Sequence, residues 1–317
     1  MKTLISIFDS FQYSSIYTVL SISVHMFSRL WYLLALGIVV GSLVSVYMPR
    51  RKLSSLAQES GFKGILIASV LGAVSPLGSY AVIPIFTAML AAGLPKAPMM
   101  TFLVSSPLID PVIFILTWTV INPPMAFARL ASAIVLGIMC GVAVDYLTKK
   151  GLILQEALEA VPANPNRKES LELSTFPEQD VKRENKLREA LALMWKTVKY
   201  PGRYFLIAIL LAALVATYVP RDAIVRYMGA GHTSVFIAAA MGIPLYMCGG
   251  GAIPLVAQFL HMGMDNGAAL AFLVVGPATR IAPMVTVFSL VRKKIFLVYF
   301  LVVLLGGMGL GFLYGML

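Results

Sequence analysis

Charge is scarce in this 317-residue chain: Asp, Glu, Lys and Arg make up 12% of it, against 59% hydrophobic residues. That balance excludes an ordinary soluble domain. Cysteine is scarcer still. Cys140 and Cys248 are the only two and both fall in apolar segments, so no disulfide framework is expected. The histidines, His25, His232 and His261, have no metal-ligand spacing. No Gly-rich loop ends in Gly-Lys-Ser or Gly-Lys-Thr, which removes an ATP-driven pump. No Gly-x-Ser-x-Gly and no paired histidines on a helix point to an intramembrane hydrolase. An enzyme, a metal and a cofactor are therefore not expected. Also missing are the ten-residue alternating stretches of a transmembrane β-barrel and the basic, apolar and small-residue sequence of a cleaved signal peptide.

Long apolar runs are what the chain has. A bilayer core of about 30 Å needs about 20 helical residues, and several runs reach that length. The expected class is an all-α polytopic protein of the inner or plasma membrane with about 8–10 segments. Residues 1–26 read as an interfacial lead-in and 28–48 as the first span. Apolar stretches follow at 62–92, 98–122, 125–147, 203–219, 234–260, 267–291 and 295–315. The net charge of +11 sits in short clusters, Arg50–Lys52, Lys149–Lys150, Lys196–Arg203 and Arg292–Lys294. That is the positive-inside pattern, so the cations report topology and anionic lipid contact rather than nucleic acid.

Subtracting 170 from Ile253-Pro254, Leu260, Gly263, Phe272-Leu273-Val274 and Pro277 gives Ile83-Pro84, Leu90, Gly93, Phe102-Leu103-Val104 and Pro107, eight identities in twenty-five ungapped positions. The chain thus reads as two homologous membrane repeats, 1–147 and 203–317, joined by a cytosolic linker, 148–202. Both copies are broken by Gly and Pro, and backbone groups freed at such breaks are tolerated only where protein or a wet cavity satisfies them. Paired broken segments in two halves point to a transporter's binding site. If each core stretch makes an odd number of crossings, all the cationic clusters fall on one side and the repeats are inverted. If every stretch is one simple crossing, the halves lie parallel.

Asp110 and Arg280 occupy the same position in the two copies, three residues after Pro107 and Pro277. A charge at bilayer depth costs about 2.5–3.5 kcal/mol on insertion scales, so neither should face lipid. They read either as a charged substrate site or gate, or as a permanent ion pair between the repeats. Cys248 beside Gly249, Gly250 and Gly251 offers a thiol to a soft substrate, against the commoner role of a small packing residue. Gly78, Ser79, Tyr80, Ser105, Ser106 and Gly276 complete the candidate binding set at the breaks.

The double pattern of a Pro, a small-residue break, Ile-Pro, a Gly and then Phe-Leu before a second Pro resembles the predicted-permease family that includes organoarsenical efflux permeases. In that family the first break commonly carries two cysteines, where this chain has Gly78 and Tyr80; the second break keeps Cys248. Asn is common in the family where Asp110 and Arg280 stand here. The resemblance implies a secondary permease exporting a small solute of the metalloid or organometalloid class. The alternatives are an ion or small-solute channel and a non-transporting membrane anchor subunit. The expected partners are a small-molecule substrate and membrane lipid, with a homo-oligomer left open.

Overall fold

The computed structural model describes residues 17–28, 31–32, 35, 39, 61–75, 95–151, 206–207, 209–229, 231–243, 250–279, 284, 288 and 293–317. Among them there is no strand, and helices carry the fold. In chain order they are α1 (Phe62–Val74), α2 (Lys96–Ser105), α3 (Pro111–Val120), α4 (Pro123–Lys149), α5 (Arg221–Met228), α6 (His232–Gly242), α7 (Ala252–His261), α8 (Asn266–Ala278) and α9 (Lys293–Gly315). Residues 17–28 and Ile209–Tyr218 are also helical. The expected linker, 148–202, lies almost wholly outside the described residues.

Helix boundaries follow the punctuation in the sequence. The stretch 98–122 is two helices, because Pro107 has no N–H to extend α2. Asp110 then starts α3 with Pro111 in its first turn, and Asn122 starts α4 with Pro123 in the same place. The stretch 234–260 is likewise split, into α6 and α7. α5 presents Arg221, Arg226 and Tyr227 outward and buries Ile224 and Met228, as expected of an interfacial helix.

Only α4 and α9 are long and apolar enough to cross a membrane, among the described residues. Their 27 and 23 residues give lengths of about 40 and 34 Å. Each buries one stripe, which in α4 includes Met125, Arg129, Ala133, Gly137 and Gly141, and in α9 is Ile295, Tyr299, Val303, Gly307 and Gly311. Phe127, Val135, Met139, Leu297, Leu301 and Leu305 stand exposed elsewhere on the same two helices. A face of that kind suits lipid. α2 and α8 behave differently: from Ala97 to Ser105 and from Gly267 to Ala278 every residue is buried. These two are the core around which the others pack.

The packing is the same on either side. α1, α2 and α4 contact one another, and so do α6, α8 and α9. The first three begin at 62, 96 and 123 and the second three at 232, 266 and 293, each 170 later. A methyl group placed on Gly141 would meet Thr101, Ile65 and the Ala97 carbonyl, and one on Gly311 would meet Ala271, Val235 and the Gly267 carbonyl. One on Gly72 would meet Ser105, the Phe102 carbonyl and the Ser106 backbone; one on Gly242, the Phe272 carbonyl and the Gly276 backbone. All but one of these neighbours correspond at the same offset of 170.

Candidate functional site

The turn between α2 and α3 gathers the polar groups at the centre. Asp110 has extended backbone, and its Oδ1 accepts the Ile113 N–H at 2.7 Å. Seven residues beyond Asn122, on the buried stripe of α4, stands Arg129, 1% exposed. Its Nη1 donates to Thr117 Oγ1 at 2.9 Å. Its Nη2 donates to the Leu108 carbonyl at 3.3 Å and to the Leu273 carbonyl at 3.4 Å.

Both carbonyls are orphans of the broken helices. Leu108 lies in the turn that ends α2, and Leu273 is four residues before Pro277, which has no N–H to give it. The guanidinium replaces the missing donors, so one side chain satisfies backbone freed on both sides of the molecule. Arg129 and Asp110 are also near enough to interact electrostatically.

Gly250 adds the third element. A methyl group there would lie 3.9 Å from Ile113 and 3.8 Å from Leu116, so the turn that opens α7 rests against α3 one helical turn from Asp110. Gly251 follows as the cap residue of α7. The structure therefore brings Asp110, Gly250 and Gly251 of the expected set to one junction and adds Arg129 and Thr117.

Other expected residues fall elsewhere. Ser105 packs between helices: its Oγ is 3.3 Å from Ser69 Oγ, and Ser69 donates to the Ile134 carbonyl at 2.8 Å. Gly276 lets α8 approach the Gly242 carbonyl of α6, a close helix contact. Ser106 is 1% exposed, and its hydroxyl has no hydrogen-bond partner among the described residues. Arg280, Cys248, Gly249, Gly78, Ser79 and Tyr80 lie outside the described residues, and so does the expected meeting of Asp110 with Arg280. Cys140 is buried in α4. Among the described residues no group of His, Cys, Asp or Glu can hold a metal ion.

Arg129 is the residue that sequence reasoning missed. Its signal was present: a cation at the seventh position of a 27-residue apolar helix, far from Lys149 at the helix end. The equivalent position, Tyr299, makes the equivalent bond, its hydroxyl donating to the Ala278 carbonyl at 2.7 Å.

The profile of a family described as predicted permeases matches residues 15–316. Among curated proteins, the chain is similar to UPF0718 protein YcgR of Bacillus subtilis, at 20% identity over 86% of this chain and 89% of that one. It is also similar to UPF0718 protein MJ0584 of Methanocaldococcus jannaschii, at 21% identity over 74% of this chain and 76% of that one. No solved structure matches the chain.

Proposed function

The chain belongs to the predicted-permease family, and from that membership we propose that it is a secondary permease of the cell membrane whose central site lies where two inverted repeats meet. It exports a small solute of the metalloid or organometalloid class, rocking of the repeats alternating access to the site. The observation that carries this reading is Arg129, a cation at bilayer depth bonded to carbonyls freed at the breaks of both halves. An ionisable group in that position is a functional site by default. The duplicated helix starts, the matching glycine contacts and the matching bonds of Arg129 and Tyr299 support the repeats.

Relative depth supports the inversion. α4 and α9 meet at Leu136 and Gly306, positions 170 apart. Next to them Gly137 faces Ser105 and Gly307 faces Val275, which sets the depth of that crossing in each half. Leu108 lies three residues beyond Ser105, whereas Leu273 lies two residues before Val275. Halves running the same way would separate the two carbonyls by about 7 Å along the axis. Halves running opposite ways put both on one side of the crossing, within reach of the single nitrogen that bonds them at 3.3 and 3.4 Å.

Purified chain in proteoliposomes tests the function. Vesicles given a gradient of a trivalent methylarsenical are expected to take up arsenic faster than empty vesicles and to saturate with concentration. Arg129→Gln is expected to lower that flux at least tenfold. Wild-type vesicles no faster than empty ones contradict the reading, and unitary currents too large for carrier turnover would make the protein a channel.

A further inference from the structure

The two charges at the junction do structural work that neutral residues do elsewhere in the same chain. Asp110 caps α3 through Oδ1, 2.7 Å from the Ile113 N–H. Asn122 caps α4 in the same way, its Oδ1 2.8 Å from the Met125 N–H, and each is followed by proline. An amide therefore serves where a carboxylate stands. Arg129 supplies a donor to the Leu108 carbonyl, and Tyr299 supplies one to the equivalent Ala278 carbonyl from an uncharged phenol. Charge at bilayer depth is costly, and neither task requires it.

The accessibility of the two is also unequal. Arg129 is enclosed, while Asp110 is only partly buried, at the edge of the turn where α7 begins against α3. We propose that Asp110 is the proton-exchanging carboxylate of the transport cycle and Arg129 its fixed counter-charge, an assignment that rests on the permease reading. The carboxylate takes up a proton from one face of the membrane to become a neutral acid and releases it to the other. Arg129 stays a cation throughout. Each protonation changes the net charge of the junction by one unit, so the two states differ in the conformation they favour and in their affinity for the solute.

No other described charge competes for this role. α3 packs on α4 and α7. From α4 the charge that acts on Asp110 is Arg129. Asp145 and Lys149 stand sixteen and twenty residues past Arg129 on the same helix, about 24 and 30 Å along it. α7 carries one titratable side chain, His261, exposed at its far end, and the turn 106–109 carries none.

The test compares the wild type with Asp110→Asn, Arg129→Gln and the double variant, all as full chains. Infrared difference spectra of purified protein between about pH 4 and 9 are expected to show a buried carboxyl band that titrates and that Asp110→Asn removes. The double variant keeps a cap and a carbonyl donor without either charge. It is expected to melt near the wild type and above both single variants, because a lone buried charge is worse than none. In proteoliposomes a pH gradient is expected to raise wild-type methylarsenical flux severalfold and leave the double variant's flux unchanged. A wild type without a titrating band, or a band that survives Asp110→Asn, overturns the proposal. A double variant that melts no higher than the single ones also overturns it, since Asp110 and Arg129 would then not be coupled and Arg129 would not be the counter-charge. Solute movement indifferent to the pH gradient overturns the coupling and leaves the permease reading intact. A band that behaves as expected in vesicles that move no solute supports the proton site and counts against the permease reading alone.

Discussion

Ser106 carries a buried hydroxyl with no partner among the described residues, whereas the Ser105 hydroxyl beside it is paired with Ser69. An unsatisfied buried group costs about 1–3 kcal/mol, and a satisfied one contributes about 0.5–1.5 kcal/mol. Ser106→Ala is thus expected to melt at or above the wild-type temperature, and Ser105→Ala below it. If the Ser106 hydroxyl meets the solute, Ser106→Ala also loses flux in the same vesicles. Cys248 permits a separate test: with a thiophilic solute, Cys248→Ser is expected to abolish cellular protection against trivalent organoarsenicals while the protein still inserts. Unchanged protection would remove that thiol from the site. At this scale Asp110 stood out in the sequence because a carboxylate in an apolar segment is rare. Arg129 did not, because position 299, its counterpart at the offset of 170, holds an aromatic that reads as core.

Between elements, close approach is set by glycine. Gly141 has Thr101, Ile65 and the Ala97 carbonyl against its face, whereas a methyl group on Gly309 of α9 would meet none of the described residues. Overpacking a tight contact costs about 1–3 kcal/mol, so Gly141→Ala is expected to lower the melting temperature by several degrees. Gly309→Ala should leave it unchanged or raise it, since alanine is the better helix former. Equal effects of the two variants would mean that the α2–α4 contact does not depend on that glycine. The breaks between helices were readable from Pro107, Asn122-Pro123 and the glycines Gly250 and Gly251. Which helices form the core was not. Every segment is apolar, so hydrophobic periodicity has little contrast, and the wholly buried α2 and α8 look in sequence like their half-exposed neighbours.

For the whole molecule, the proposed duplication rests in the sequence on eight identities that keep one offset, and the helix starts at 62/232, 96/266 and 123/293 keep the same one. The direction of the halves was not fixed by charge placement alone, because short basic clusters fit more than one number of crossings. The depth relation between Leu108 and Leu273 supplies the further argument for opposite directions. The linker offers an internal reference: single cysteines at positions within 155–180 are expected to react from the cytosolic face.

Labelling with a membrane-impermeant maleimide, from outside and then after permeabilisation, tests the antiparallel arrangement most directly. The informative sites are positions 93–96 and 261–266, which immediately precede or open α2 and α8 in the sequence. Inverted halves predict that cysteines in the two stretches react from opposite faces of the membrane, one of them together with the linker. Reaction of both from the same face would contradict the inversion, and with it the convergence of the two breaks on Arg129.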